Sequence, residues 1–327
     1  MDALGRAGPV GPLALSQVPI GVGEAPQISL LPDVLTDRAH LQTYVAADVI
    51  VGARFSGDLP QPRRLQLFHV PGAGYDAVDL DAIPGLAVVC NCFGHEQAIA
   101  EYVMAALLER HVPLADADRH LRRGNWTYAS GSPERVHGEL AEKTIGLLGF
   151  GHIGKAIATR AKAFEMRVHV ANRSPVPISS LVDRSFVLNS LGEFWSSADF
   201  FVVSVPSNAD TVGMVNAESF AAMRASAVIL NVGRGPTIDE QSLYEALKGR
   251  RIAGAVIDTW YSYPSLSEPS ILPSRFPFHE LPNVVMTPHM SGWTMGTINR
   301  RKQTIADNIG RRAAGRPCVN VVRPART

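Results

Sequence analysis

Two side chains that could carry acid–base and anion-binding chemistry follow predicted strands of this chain. His289 comes soon after the apolar run Val284–Thr287, and an imidazole can donate or accept a proton near neutral pH. Arg234 stands between two glycines after the apolar run Val228–Val232, where a guanidinium can hold a carboxylate through two hydrogen bonds. Because parallel strands bind ligands beyond their carboxyl ends, the pattern favours function over a structural histidine and an ordinary loop cation.

A glycine-rich turn predicts a dinucleotide-binding site. Gly149, Gly151 and Gly154 follow the predicted strand Thr144–Leu148 and open the predicted helix His152–Phe164. In such a G-x-G-x-x-G turn, the first glycine permits the tight turn and the second lets the backbone approach a pyrophosphate. The third lets the helix pack closely against the strand. The N–H groups and the positive dipole end of the helix then favour the diphosphate anion.

The end of the next predicted strand, Arg167–Ala171, bears on the choice of cofactor. Proteins that bind NAD in this way place an acidic residue about twenty positions past the glycines, where it accepts from the ribose 2′-hydroxyl. Asn172, Arg173 and Ser174 stand there in this chain. A neutral residue removes charge repulsion and the next two could bind a 2′-phosphate, so we predict NADP, with NAD as the alternative. In that alternative, Arg173 is a solvated surface residue and Asn172 bonds the ribose.

Alternating apolar strands and helices define the fold class. Further strands are predicted over Phe200–Val205 and Gly254–Ile257, and helices over Ala217–Met223, Asp239–Leu247 and Gly296–Ala314. An earlier helix has one apolar stripe, formed by Ala98, Ile99, Tyr102, Val103, Ala106 and Leu107. Trp260 is assigned to packing. Continuous apolar strands that alternate with helices predict a doubly wound parallel sheet of the α/β class.

Composition describes an ordinary globular protein and excludes several functional classes. The 327 residues carry a net charge of +1, which gives no argument for nucleic acid or a membrane surface as partner. No apolar run approaches membrane-spanning length. The Gly- and Pro-rich segment Met1–Pro12 is expected to be a loose tail, not a signal peptide. Three cysteines without metal-ligand spacing predict a reducing, cytoplasmic compartment and no metal site.

Four motifs, taken in order, resemble the D-isomer-specific 2-hydroxyacid dehydrogenase family. They are Gly72–Asp76, Gly149–Gly154, Asn231–Gly235, and Pro288–His289 with Ser291, Gly292 and Thr294. The resemblance covers nearly the whole chain after about its first forty residues. Each motif is weak by itself, whereas four in the order of the family are specific.

The resemblance implies a domain organisation. A Rossmann-type cofactor domain, residues 98–289, is inserted in a smaller flavodoxin-like α/β substrate domain made of residues 1–97 and 290–327. The resemblance also implies a homodimer, and an active site between the domains that closes on its substrate.

The resemblance further implies an activity and the residues that perform it. Hydride passes between C4 of the nicotinamide and C2 of a small acid, while His289 protonates the carbonyl oxygen during reduction and Arg234 orients and polarises the substrate. Backbone N–H groups of the loop with Ala73, Gly74 and Tyr75 hold the substrate carboxylate. The implied cofactor contacts are Gly149, Gly151, His152, Ile153, Gly154, Asn172, Arg173, Ser174, Val205, Pro206, Thr211, Val232, Gly233, Asp258 and Gly292.

One position departs from the family pattern. The family carries a glutamate that hydrogen-bonds the histidine in a D-x-x-x-x-E-P segment, whereas Tyr263 occupies that slot in Asp258–Pro264. Either Tyr263 replaces the acid, much as the formate dehydrogenase branch carries glutamine there, or the segment is longer and Glu268 supplies the carboxylate. We favour Tyr263, because Pro264 keeps the register without a gap.

The leading hypothesis is an NADP-dependent reductase of small 2-keto acids such as glyoxylate or hydroxypyruvate. The alternatives are a formate dehydrogenase-like enzyme and a non-catalytic, nucleotide-sensing scaffold like the corepressors that resemble this family. A scaffold gives no reason for Arg234 and His289 to be paired. The sequence leaves the identity of the acid open.

Overall fold

The computed structural model describes residues 26–32, 34–133, 135–188, 191–265 and 268–326. They form two compact units, each with its own β-sheet. The first comprises the described residues up to Gly94, those within Ser262–Ile271 and those from Thr294 on, and the second comprises His95–Tyr261 and Leu272–Trp293. The predicted substrate and dinucleotide domains concern what each part binds, and they stay a prediction. The predicted tail Met1–Pro12 lies outside the described residues.

Strands and helices alternate along most of the described chain. The strands are β1 (Val49–Val51), β2 (Leu67–His69), β3 (Val88–Cys90), β4 (Thr144–Leu148), β5 (Arg167–Asn172), β6 (Arg184–Val187), β7 (Phe200–Val203), β8 (Val228–Asn231), β9 (Gly254–Ile257), β10 (Val284–Met286) and β11 (Val321–Arg323). The helices are α1 (Arg38–Ala46), α2 (Glu96–His111), α3 (Leu114–Leu121), α4 (His152–Ala163), α5 (Leu191–Ser196), α6 (Ala217–Ala222), α7 (Glu240–Lys248) and α8 (Met295–Ala313). None of the helices in the described ranges is long and apolar enough to cross a membrane.

The sheet of the second unit is parallel throughout, in the order β10-β9-β8-β7-β4-β5-β6. Strands β4, β7, β8 and β9 are buried at every position, which explains their continuous apolar sequences. The strand order reverses between β4 and β7, and such a switch point is where open α/β sheets bind ligands. The α/β class and the parallel sheet predicted from the sequence are confirmed.

The sheet of the first unit has four strands in the order β1-β2-β3-β11, and only β11 runs antiparallel to its neighbour. Helix α8 is tied to this sheet through the buried Asn308, whose Nδ2 donates to Nε2 of His69 at 3.0 Å. The same amide donates to the carbonyl of Val319 and accepts from its N–H, at 3.0 and 2.8 Å. Residues far apart in the chain therefore share one core.

Several elements were not predicted from the sequence, and two of them bury little apolar surface. Strand β6 buries only Phe186, and α3 buries no residue, so neither shows the apolar pattern of a packed element. Helices α1 and α5 and strand β11 were not predicted either. Three predicted strands of the second unit end earlier than expected, at Val203, Asn231 and Met286. The residues that follow continue the hydrogen bonding, since Ser204 N–H donates to the carbonyl of Leu148 at 3.0 Å.

Candidate active site

The glycine turn after β4 has a backbone path that requires glycine at two positions. Gly149 has φ +99°, a conformation that L side chains rarely adopt. A Cβ on Gly154 would overlap the carbonyl oxygen of Gly149, so the first turn of α4 packs directly on the glycine turn. At Gly151, the N-cap residue of α4, no side chain caps the helix and a Cβ would have no heavy atom within 4 Å. The start of α4, with His152 and Ile153, therefore presents N–H groups where an anion can approach.

Asn172 at the end of β5 has structural partners on both sides of its amide. Its Oδ1 accepts from the N–H of Phe150 in the glycine turn at 3.3 Å, and its Nδ2 donates to the carbonyl of Ser174 at 3.0 Å. A carboxylate has no donor and could not make the second bond. Arg173 and Ser174 are exposed beside it. This strand end therefore holds a neutral residue with an exposed cation next to it.

Across the switch point, the segment after β7 packs against the glycine turn. A Cβ on Gly149 would lie 3.0 Å from Cγ1 of Val205. The next turn is fixed by the buried Thr211, whose Oγ1 donates to the carbonyl of Pro206 at 2.6 Å and accepts from Asn208 N–H at 2.9 Å. Val205, Pro206 and Thr211 therefore lie on the β7 side of the predicted pyrophosphate site.

The loop that carries Arg234 is fixed by two buried polar side chains. Asn231, the last residue of β8, donates to the carbonyl of Arg234 at 3.0 Å and accepts from Gly233 N–H at 3.1 Å. Oγ1 of Thr237 donates to the same carbonyl at 2.6 Å. The guanidinium is half-buried, and its Nη1 donates to the carbonyl of Gly233 at 2.9 Å. The cation therefore stands on a rigid loop at the carboxyl end of a central strand.

The two glycines beside Arg234 are required by close backbone approach. A Cβ on Gly233 would lie 2.8 Å from the carbonyl oxygen of Val205, and one on Gly235 would overlap the carbonyl oxygen of Trp260. The loop therefore packs closely against the chain segments that follow β7 and β9.

His289 has a left-handed backbone, with φ +58°. Such a conformation costs a non-glycine residue about 1–3 kcal/mol. The buried carboxylate of Asp258 holds the chain around it. Oδ1 accepts from Thr287 Oγ1 at 2.6 Å and from Met290 N–H at 2.8 Å, and Oδ2 accepts from Ser291 N–H at 3.0 Å. Hydrogen bonds to a charged group stabilise by roughly 1.5–3 kcal/mol each, so three of them outweigh the backbone cost.

The second unit brings its predicted site residues to one edge of the sheet. Arg234, Asp258 and His289 follow the neighbouring strands β8, β9 and β10. The same edge carries the ends of β4, β5 and β7 with the glycine turn, Asn172 and Val205. Val232 is buried directly after β8. A Cβ on Gly292 would lie 3.3 Å from Cβ of His95, so this position in the histidine loop has little room.

The remaining predicted site residues belong to the first unit. In the loop after β2, the carbonyl of Ala73 accepts from Asn91 Nδ2 at 2.8 Å, and Gly74 and Tyr75 follow it. Tyr263 is half-buried. Glu268 is exposed, and its N–H donates to Ser265 Oγ at 3.0 Å. Their roles toward substrate and toward His289 stay predictions.

Sequence reasoning missed the residues that support the histidine loop. Tyr102 belongs to the predicted apolar stripe of α2, but its hydroxyl lies 2.7 Å from Oγ1 of Thr287. Trp260 packs against Phe278 as expected, and its Nε1 also donates to the carbonyl of Thr287 at 2.8 Å. The only sign of these contacts in the sequence is that tyrosine and tryptophan each carry a polar atom, which needs a hydrogen-bond partner when the side chain is packed.

Comparison with known proteins gives a consistent result. Residues 104–291, more than half of the chain, match the family described as D-isomer specific 2-hydroxyacid dehydrogenase, NAD binding domain. Glyoxylate/hydroxypyruvate reductase B of Yersinia enterocolitica is 30% identical over 298 residues, with 90% of this chain and 87% of that protein covered. D-3-phosphoglycerate dehydrogenase of Archaeoglobus fulgidus is 29% identical and covers 94% of this chain, which spans about half of that relative's length (54%).

A solved structure extends the likeness to the fold. An acyclic imino acid reductase in complex with NADPH and D-Arg has 28% sequence identity and a TM-score of 0.72, with 86% of this chain and 88% of that chain covered. The resemblance found in the four motifs is thus confirmed, and the chain belongs to the D-isomer specific 2-hydroxyacid dehydrogenase family.

Proposed function

We propose that this chain is an NADP-preferring oxidoreductase that transfers a hydride between the nicotinamide and a small 2-keto or 2-hydroxy acid. The observation that carries the proposal is the carboxylate of Asp258, which fixes the loop of His289 through three hydrogen bonds. This loop lies at the same sheet edge as Arg234 and the glycine turn. A proton donor, an anion-binding cation and a pyrophosphate site at one edge are what the reaction needs.

The cofactor is held by this chain's own backbone and strand ends. The start of α4 at Gly151 offers N–H groups and open space to the pyrophosphate. The nicotinamide cofactor supplies or accepts the hydride when bound. Support for NADP comes from the neutral Asn172 and the exposed Arg173 and Ser174, since a guanidinium binds a phosphate strongly. The similar imino acid reductase was solved with NADPH.

The chain's own residues orient the acid and move the proton. Arg234 binds the substrate carboxylate, on a loop fixed by Asn231 and Thr237. His289 donates a proton to the carbonyl oxygen during reduction and takes it back from the hydroxyl during oxidation. The loop at Gly74 is the proposed second carboxylate site.

The proposal includes a homodimer in the cytoplasm. Helix α3 buries none of its residues, although Leu114 and Leu121 are apolar and exposed, and Trp126 nearby is 69% exposed. A second copy would remove this surface from water. The described cysteines, Cys90, Cys92 and Cys318, are all free thiols, as is usual in a reducing compartment. Sedimentation of the purified chain tests the dimer, and Trp126→Asp should shift it toward monomer.

The decisive experiment is oxidation of NADPH with a panel of acids. The panel contains glyoxylate, hydroxypyruvate, pyruvate and the imine formed from pyruvate and methylamine, and formate is offered with NADP in the reverse direction. Turnover of a 2-keto acid that is lost in His289→Asn and Arg234→Lys, with NADPH binding retained, supports the proposal. Tight NADPH binding without turnover of any compound favours the scaffold, and oxidation of formate alone favours a formate dehydrogenase-like enzyme.

A further inference from the structure

Tyr102 connects helix α2 to the loop of His289 through a chain of hydrogen bonds. Its hydroxyl lies 2.7 Å from Oγ1 of Thr287, and that oxygen lies 2.6 Å from Oδ1 of Asp258. Asp258 in turn accepts from the N–H of Met290, the residue after His289. This series of hydrogen bonds therefore starts on α2 and ends beside His289, the proposed proton donor.

The direction of each hydrogen bond follows from the number of protons. The Thr287 hydroxyl has one proton, and the carboxylate oxygen of Asp258 can only accept, so that proton is donated to Asp258. The bond between Tyr102 and Thr287 must then use the phenol proton of Tyr102. Burial raises the pKa of Tyr102 to about 12, so the phenol keeps this proton at neutral pH.

The hydrogen bonds to Tyr102 and Asp258 fix the orientation of the Thr287 side chain. Its main chain is held separately, since its N–H donates to the carbonyl of Ile257 at 3.0 Å and its carbonyl accepts from Trp260 Nε1 at 2.8 Å. Without the Tyr102 proton, Oγ1 of Thr287 keeps only the bond to Asp258, and the carboxylate loses the partner that fixes its donor.

We propose that Tyr102 is a positioning residue for His289, acting through Thr287 and Asp258. The inference rests on the proposed function, in which His289 is the catalytic proton donor. The phenol hydroxyl is the group that acts, because phenylalanine would keep the packing of the ring on α2 while removing the hydrogen bond. A side chain that only filled the core would not need this hydroxyl.

The first test compares Tyr102→Phe with a matched control. Tyr44 is a buried tyrosine whose hydroxyl has no hydrogen-bond partner among the described residues, so Tyr44→Phe removes a tyrosine hydroxyl without breaking a hydrogen bond. We expect Tyr102→Phe to lower kcat by about tenfold, since small misplacement of a catalytic group is costly. The Kd for NADPH should stay within about twofold of the wild-type value, because the glycine turn is untouched.

A double-mutant cycle tests whether the two hydroxyls act as one unit. Thr287→Val should lower kcat as Tyr102→Phe does, and the double variant should be no worse than the poorer single one. Thr287→Ser keeps the hydroxyl and should restore most of kcat. Additive losses, a kcat for Tyr102→Phe equal to that of Tyr44→Phe, or failure of Thr287→Ser would each overturn the proposal.

Amide hydrogen exchange separates this inference from the proposed function. Exchange of the segment 285–293 should be faster in Tyr102→Phe than in the wild type, and unchanged in Tyr44→Phe. If the wild type turns over none of the acids, the proposed function fails, while faster exchange would still support the link from Tyr102 to this loop. Unchanged exchange in Tyr102→Phe overturns the link whatever the activity.

Discussion

Oδ2 of Asp258 accepts a hydrogen bond from the N–H of Ser291 at 3.0 Å, across the turn that carries His289. The two residues are 33 positions apart in the chain and follow neighbouring parallel strands, β9 and β10. One buried carboxylate thus holds both flanks of a histidine with a left-handed backbone. The relationship gives Asp258 a structural role, whereas the family resemblance implied only a cofactor contact for it.

Asp258→Asn should strongly reduce turnover. An amide in place of the carboxylate turns one acceptor oxygen into a donor. In either orientation that donor faces a backbone N–H, of Ser291 or of Met290, so the loop cannot keep its conformation. We expect kcat to fall by about a hundredfold, as measured with the best acid of the panel. Asp210→Asn, in an exposed turn, is the control and should behave as the wild type. A wild-type kcat for Asp258→Asn would contradict the supporting role.

The predicted partner of His289 can be identified by two substitutions. If Tyr263 fills this role, Tyr263→Phe should change the pH dependence of kcat, because the imidazole loses a hydrogen bond. Glu268→Gln should then leave the profile unchanged, in line with the exposed position of Glu268. A profile that changes with Glu268→Gln and not with Tyr263→Phe would reverse the assignment.

Arg173→Ala should weaken binding of NADPH more than binding of NADH. An exposed guanidinium contributes mainly to binding of a phosphate, and NADH has no 2′-phosphate, so we expect a loss of about tenfold for NADPH alone. Titration by cofactor fluorescence measures both constants. Equal losses for the two cofactors, or none, would favour the interpretation of Arg173 as a solvated surface residue. Arg250→Ala, after helix α7, is a control that should affect neither.

Gly154→Ala and Gly151→Ala should fail in different ways. A Cβ on residue 154 meets the carbonyl oxygen of Gly149, so Gly154→Ala should lose about 1–3 kcal/mol of the free energy of unfolding. Residue 151 has open space and φ −79°, so Gly151→Ala should fold normally but obstruct the pyrophosphate. Urea unfolding and NADPH titration distinguish the two effects. Normal stability of Gly154→Ala would show that the helix start can shift.

His69 should make the stability of the protein depend on pH. Burial lowers the pKa of His69 to about 4 from the ordinary value of 6.5, while Asn308 donates to its Nε2. The unfolded chain therefore binds a proton first as the pH falls. The contribution of His69 to the free energy of unfolding is fully present above pH 6.5. It is lost as the pH falls toward 4, by up to roughly 3 kcal/mol.

Urea unfolding at pH 7 and pH 5 measures this loss. His69→Gln should show a shallower pH dependence than the wild type, whatever its stability at pH 7. His137→Gln, at an exposed site, should keep the wild-type slope. An unchanged slope in His69→Gln would assign the acid sensitivity to other groups, of which His169 is the first to test, since its pKa is also lowered to about 4 by burial.

The amino-acid sequence by itself determined the local framework of this protein. Apolar runs such as Thr144–Leu148 and Gly254–Ile257 coincide with β4 and β9, because strands buried on both faces need continuous apolar residues. The sequence also predicted the turn that contains Gly149 and Gly154, because its geometry admits only glycine at these positions. The sequence also predicted that Arg234 and His289 follow strands, and they follow β8 and β10.

Only the tertiary structure decided what holds those side chains in place. Tyr102 lies on α2, whereas Asp258 and Thr287 directly follow β9 and β10, and the sequence separates these residues by up to 185 positions. Their hydrogen bonds exist only once the sheet order brings the three segments together. The sequence does not show which hydrogen-bond partner a polar atom on a half-buried side chain has. Short-range pattern therefore predicts the elements and their end residues, whereas long-range hydrogen bonds, which depend on packing, set the conformation of the site.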